Sequence, residues 1–311
     1  MELDNVKLGL EGPSESFLRT ETGELLSPKF SFETFVVGKS NQFAHASAMA
    51  VANKPGVYNP LFIVGKTGLG KTHLLKAIGY KILKENRNKK VYFLSTQKFI
   101  EEVIQSIRHD KRHELHELYQ TNCDLLLMDD IQFLSRAVST QDEFFRIFNA
   151  LFDAGKQIVI SSDRLPKEIA DVHDRIISRF ECGMVADIEI PELETRVAIL
   201  KTRAETDGIY LADDVAYLIA NYVKSNIREL EGCLTKLAAH AAIYQERITT
   251  DLVKRVLRSY VNESTKVVTL DEIIAAVAQF YSLKAIDIRG NSRKAPIAKA
   301  RQITMYLGRE L

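Results

Sequence analysis

Eight residues, Gly65-Lys66-Thr67-Gly68-Leu69-Gly70-Lys71-Thr72, carry the plainest chemistry in the chain. Gly-x-x-x-x-Gly-Lys-Thr between an apolar strand and a helix is the spacing of a phosphate cradle. The glycines Gly65, Gly68 and Gly70 let backbone N–H groups turn inward, and the helix N-terminus adds partial positive charge. Lys71 is placed to bring its ammonium near β- and γ-phosphates, and the Thr72 hydroxyl to ligate magnesium. A mere glycine turn would not come with strand, loop and helix all in place. The expected ligand is a magnesium–nucleoside triphosphate, with ATP or ADP as the cofactor.

Asp129 and Asp130 stand at the end of the apolar run Leu125–Met128. A carboxylate at that edge faces the phosphate loop, so Asp129 is expected to hold magnesium through water. Asp130 is expected to orient or activate the attacking water; an ordinary turn is the competing reading. Asp130 reaches less far than the Glu of many fast ATPases, which suggests slow hydrolysis suited to a switch. Ser161-Ser162-Asp163 ends the next apolar run and offers a polar group to sense the γ-phosphate. Arg175 and Arg179 lie just beyond, where an arginine can serve a neighbouring subunit or make a surface ion pair. His109, His113 and His116 share a helical face by spacing, but their charged neighbours favour a solvated face over a zinc site.

These residues need a frame. Leu61–Val64, Val91–Leu94, Leu125–Met128 and Ile158–Ile160 read as buried strands. Thr72–Glu85, Lys98–Ile107 and Gln141–Phe152 read as the helices between them. Strand–helix alternation implies an α/β parallel sheet flanked by helices. After Pro191 the pattern is helical: Glu194–Thr206, Asp213–Tyr222, Ile227–Tyr244 and Thr250–Val261. Thr269 and Glu272 form a capping box for a helix over Leu270–Tyr281. A basic Arg289–Lys294 loop precedes a last helix starting near Pro296, which reaches Leu311 without a stop signal. The expected domains are a linker or tail over 1–29, a nucleotide-binding α/β unit over 30–190, an all-α lid over 191–265, and a partial helical domain over 266–311.

Composition is that of an ordinary globular chain, 46% hydrophobic and 27% charged over 311 residues. There is no apolar run long enough to span a membrane and no basic-then-apolar start, so a cytoplasmic protein is expected. Cys123, Cys182 and Cys233 fit no metal spacing and read as spectator thiols. The net charge of +1 hides an asymmetry. Residues 284–311 hold seven Lys/Arg against Asp287 and Glu310, a net of +5 that leaves −4 for the rest. A basic end on an acidic body points to a local nucleic-acid contact.

Taken together, the motifs resemble the DnaA family, the bacterial chromosome replication initiators of the AAA+ class, from about Phe30 to Leu311. The resemblance rests on Asn41-Gln-Phe-Ala-His45, Gly68-Leu-Gly-Lys-Thr-His73, Asp129-Asp-Ile-Gln-Phe133, Phe144-Phe145, Ser161-Ser-Asp-Arg164, Ser178-Arg-Phe180, Glu194-Thr-Arg196, Asn226-Ile-Arg-Glu-Leu-Glu-Gly232 and Ala300-Arg-Gln302. It implies that Lys71 and Thr72 are the Walker A pair, with His73 beside them in the cofactor-binding set. Asp129 and Asp130 would be the Walker B pair, Asp163 the first sensor, and Arg179 the arginine finger supplied in trans. Arg228 would be the second sensor, on the lid, against a plain salt bridge to Glu231 or Glu205. Residues 36–38 would line the adenine pocket. Arg293 would enter a DNA minor groove, while Lys299 and Arg301 would contact phosphates. The stripe of Leu252, Val253, Val256, Leu257 and Tyr260, with Lys254, Arg255 and Arg258 behind it, suggests lid packing or an acidic-phospholipid contact.

Two departures stand out. Ser135-Arg-Ala-Val-Ser-Thr140 carries Ala137 and Ser139 where the family commonly has basic residues, with Arg136 beside them as a partial replacement, so single-strand binding is less expected. The family also continues beyond the equivalent of Leu311 into a helix-turn-helix, and begins with a helicase-contacting domain, so a fragment is expected. The implied function is an ATP-dependent initiator that oligomerises on double- and single-stranded origin DNA, promotes unwinding and resets by slow hydrolysis. The replicative helicase is a further implied partner. A helicase loader or regulatory paralogue is the alternative. A small-molecule kinase would need neither the all-α lid nor the basic tail.

Overall fold

The computed structural model describes residues 17–258, 270–290, 292 and 294–310. These residues fall into two compact units that divide after Val256.

Five parallel strands build the first unit: β3 (Leu61–Gly65), β4 (Val91–Ser95), β5 (Leu125–Asp129), β6 (Gln157–Ser162) and β7 (Met184–Ile188), in the order β4-β5-β6-β3-β7. The central runs of β3 to β6 are apolar because both faces of the sheet are covered. Leu61 and Ile63 pack against α1 (Gln42–Asn53) and α2 (Lys71–Glu85) through Ala44, Ala48, Leu74 and Ile78. Phe62, Leu126, Met128 and Ile160 face the other way, onto Phe99, Phe144, Phe148 and Phe180. Those aromatics come from α3 (Thr96–Arg108), α5 (Val138–Asp153) and α6 (Asp174–Glu181); α4 (Arg112–Asn122) adds Leu115 and Tyr119. β3 lies between β6 and β7, so the chain leaving its carboxyl end enters the crevice where such sheets bind ligands.

The linker expected over 1–29 is structured from Leu18 onward. β1 (Leu18–Arg19) and β2 (Leu25–Leu26) form a hairpin. Its turn covers the edge strand β4: the Glu21 N–H donates to Val91 O (2.9 Å) and the Thr22 hydroxyl to Phe93 O (2.6 Å). An uncovered edge would offer those groups to another chain.

Four helices follow β7: α7 (Leu193–Thr206), α8 (Asp213–Tyr222), α9 (Ile227–Tyr244) and α10 (Thr250–Val256). Asn226 caps α9, its side chain accepting from the Glu229 N–H at 2.8 Å. α10 packs on α8 and α9, burying Leu252 and Val253, so at least part of the apolar stripe is used in lid packing. The rest of the helix expected to Val261, including Tyr260, lies outside the described residues from 259 on. So does Thr269 of the expected capping box.

The second unit holds α11 (Leu270–Phe280), α12 (Ala285–Arg289) and α13 (Ala295–Glu310) around Ile273, Ile274, Val277, Ile288 and Ala300. The short α12 was not expected; it precedes the basic loop.

Candidate nucleotide-binding site

The phosphate loop runs from the last residue of β3 into α2. Gly68 and Gly70 adopt φ of +80° and +101°, a region L-residues with a Cβ rarely enter. A Cβ on Gly68 would also meet Asn226 Oδ1 at 2.8 Å and Arg228 Cβ at 3.2 Å. The loop must therefore be bare where the lid touches it. Lys71 is buried, and its Nζ donates to the carbonyls of Gly65 (2.7 Å) and Lys66 (3.1 Å). Burial pulls its pKa down, while Asp130, Asp129 and Asp163 oppose that pull.

Asp129 is the hub. Its carboxylate accepts from the Thr72 hydroxyl (2.8 Å) and the Ser161 hydroxyl, and its carbonyl from the Thr96 hydroxyl (3.0 Å). Burial pushes its pKa up against those hydrogen bonds. A hydroxyl and a carboxylate side by side at a phosphate cradle form an all-oxygen donor set that suits Mg2+. Asp130 sits at φ +58°, its N–H donating to the Ser161 hydroxyl (3.0 Å) and its carboxylate accepting from Gln132 Nε2 (3.1 Å). Asp163 turns its carboxylate onto Arg164, with contacts of 2.8 and 3.1 Å, and that hydrogen-bonded pairing holds its pKa below the usual carboxylate value.

The lid closes the other side. The N–H groups of Ile227 and Arg228, at the start of α9, donate to Gly68 O at 3.0 and 3.3 Å. Arg228 is near enough to Lys71 to help depress its pKa. Between lid and sheet lies a cavity of about 280 Å³, lined by Phe35, Val36, Asn41, Gly70, His73, Ile199 and Ile227 among others. Val36 of the expected base-binding segment lines it, while Val37 is exposed. His73 braces this wall: its Nε2 donates to Ser31 O (2.8 Å) and its ring stands edge-on to Phe30 and Phe35.

Comparison with known proteins decides the family. A family model described as the bacterial DnaA ATPase domain matches residues 26–187, just over half the chain. The chain belongs to the bacterial DnaA family. A second model, the bacterial DnaA helix-turn-helix, matches residues 270–311. The chromosomal replication initiator protein DnaA of Thermodesulfovibrio yellowstonii is 49% identical over 287 residues. That match covers 92% of this chain but 65% of the relative, so the chain spans less than two thirds of its length. Domain III of the Thermotoga maritima DnaA is 39% identical, covers 76% of this chain and 98% of that one, and superposes with a TM-score of 0.74. A replication initiator DnaA solved with AMPPCP and single-stranded DNA is 34% identical, covering 93% and 84%, with a TM-score of 0.68. The fold is that of the AAA+ class, with a parallel sheet, flanking helices and a helical C-terminal region.

Against this DnaA frame, the sequence-derived residues divide. Gly65, Gly68, Gly70, Lys71, Thr72, Asp129, Asp130 and Asp163 gather at the carboxyl edge of the sheet, with Arg228 beside them. Arg179 does not join them. It lies near the end of α6, its guanidinium 5.3 Å from the Phe152 ring centroid. Phe152 precedes β6 and Arg179 precedes β7, which puts both toward the sheet edge opposite the phosphate loop. Arg175 is tied to Asp142 and stands over Phe145.

The three histidines expected on one helical face do not share a helix: His109 follows α3, and the chain turns at Asp110 (φ +54°) before α4 carries His113 and His116. His116 instead bonds Glu143 at 2.7 Å. Among the described residues no group of three or more His, Cys, Asp or Glu could hold a metal. In the second unit Lys299 is exposed on α13. Arg301 is engaged within its own unit. Its guanidinium donates to the carbonyls of Ile288 (2.9 Å), Ser292 (3.1 Å), Asp287 (3.4 Å) and Gly290. Arg293 and, for its side chain, Arg136 lie outside the described residues. Gln132 and Thr96 were not singled out from sequence; the signal for Gln132 lay inside Asp129-Asp-Ile-Gln-Phe133.

Proposed function

We propose that this chain is the working core of an ATP-switched initiator of bacterial chromosome replication. ATP with Mg2+ occupies the phosphate loop, Lys71 facing the β- and γ-phosphates and Thr72 and Asp129 holding the ion. The ion, when bound, neutralises charge as the phosphoryl group transfers. Asp130 orients water, Asp163 senses the γ-phosphate from the β6 turn, and Arg228 draws the lid onto it. Arg179 completes the site of the next subunit, so assembly follows ATP. Hydrolysis is slow and resets the switch.

Residues 30–190 are then the nucleotide-binding part, 191–265 the lid, and 266–311 a DNA-binding segment acting on origin DNA, double- and single-stranded. The replicative helicase and acidic phospholipids are further partners of the whole protein, which works in the cytoplasm. Among the described residues no helix is long and apolar enough to cross a membrane.

The observation that carries this reading is the docking of the α9 N-terminus on Gly68 O, beside the Thr72–Asp129 pair. It joins the lid to the phosphate loop, so occupancy of one bears on the position of the other. The helicase-loader alternative is not favoured, because residues 270–311 match a DNA-reading family model. The test is fluorescence anisotropy of an origin-derived duplex with ATP, ADP or no nucleotide. Tighter, cooperative binding with ATP alone is expected; identical isotherms in all three would overturn the switch.

A further inference from the structure

The Gln132 side chain touches both the second acid and the turn that carries Asp163. Its Nε2 donates to Asp130 Oδ1 at 3.1 Å, and its Oε1 accepts from the Asp163 N–H at 3.3 Å. A side-chain amide can donate to a carboxylate through its N–H while its oxygen accepts from a peptide N–H. A second link runs parallel: the Ser161 hydroxyl accepts from the Asp130 N–H and donates to Asp129. The ends of β5 and β6 are thus joined by two side chains, one holding the backbone of Asp130 and the other its carboxylate. Asp130 needs such support, because its left-handed φ of +58° sets the carboxylate's origin off the strand direction.

We infer that Gln132 is a positioning residue for ATP hydrolysis, coupling the Asp163 turn to the orientation of the Asp130 carboxylate. The inference rests on the nucleotide-switch reading above. In hydrolysis the water oxygen bonds the γ-phosphorus as the bridging P–O bond breaks, its electrons leaving on ADP and the water proton passing toward Asp130. That carboxylate has to point at the water before the step begins, and misplacement by about an ångström can cost about a hundredfold. When the turn carrying Asp163 moves on meeting a γ-phosphate, the amide moves with it and re-aims Asp130. Gln132 acts through Asp130 and the Asp163 turn, so its effect falls on the rate and not on affinity.

The test uses the full chain as wild type, Gln132→Leu and Gln132→Glu. Leu removes both contacts; Glu keeps an acceptor for the Asp163 N–H but loses the donor to Asp130. Three quantities are measured: ATP affinity by calorimetry, single-turnover hydrolysis, and the thermal midpoint. Both variants should hydrolyse about ten- to a hundredfold more slowly, with ATP affinity within about twofold and an unchanged midpoint. Wild-type rates in either variant would overturn the inference. So would affinity or midpoint falling in step with rate, which is the signature of a merely structural side chain. The wild-type arm reports separately on the reading beneath: no turnover and no ATP binding there would sink the nucleotide site itself, and this inference with it.

Discussion

At the scale of single residues, the site depends on a few groups whose neighbours leave them little choice. Lys71 is the cation fixed inside the phosphate loop, already directed at carbonyls that a phosphate oxygen would rival. Lys71→Ala should abolish measurable ATP binding in a calorimetric titration, and retained affinity would contradict the assignment. Arg301 has a structural task that its place in the sequence did not suggest. Its charge and place in Ala300-Arg-Gln302 suggest a phosphate contact, yet its fork ties the end of α12 to the following loop. A lysine keeps the charge but cannot span those carbonyls. Arg301→Lys should therefore lose about as much duplex affinity as Arg301→Ala, with the salt slope unchanged. A direct phosphate contact would instead leave the Lys variant near wild type and lower the slope by about one in the Ala variant.

Elements decide where those residues point, and here the sequence was legible in part. β3, β5 and β6 were readable because they are apolar runs ended by Gly or acids. The lid helices α8 and α9 were readable to the residue from their helical pattern. β7 (Met184–Ile188) was missed because Asp187 and the small Ala186 break its apolar run, although the sheet buries Ala186 and Ile188. α1 was missed because its buried face is largely Ala and Ser, which carry a weak period. The β1–β2 hairpin was read as linker because its evidence is tertiary, in bonds to Val91 and Phe93 about seventy residues away.

The brace between α2 and the segment before α1 has a pH signature. Burial lowers the pKa of both His73 and His45, which pack on Phe35. The folded chain then binds fewer protons than the unfolded one below the ordinary imidazole value of about 6.5. Their contribution is full above that pH and is lost as pH falls below it, by at most about 1.4 kcal/mol per pH unit for the more buried His73 and by less for the more exposed His45. Thermal melts should show a lower midpoint at pH 5.5 than at pH 7.5, and His73→Asn should flatten the dependence. An equal slope in that variant would place the effect elsewhere.

For the whole molecule, the central claim is that ATP turns one chain into an assembly. The geometry behind it is a separation: Lys71, Thr72, Asp129 and Arg228 gather at one sheet edge, while Arg179 stands toward the opposite edge on Phe152. An arginine so placed lies away from its own chain's phosphate loop, which is what the proposed role in trans requires. The most direct measurement is sedimentation velocity of wild type and Arg179→Ala, each with ATP, ADP or no nucleotide, alongside ATP affinity by calorimetry. The account predicts faster-sedimenting species for wild type with ATP only. It predicts none for Arg179→Ala, whose ATP affinity should stay within about twofold of wild type because a trans residue is absent from the monomer's site. Assembly of Arg179→Ala indistinguishable from wild type, or wild type sedimenting alike in all three states, would contradict it.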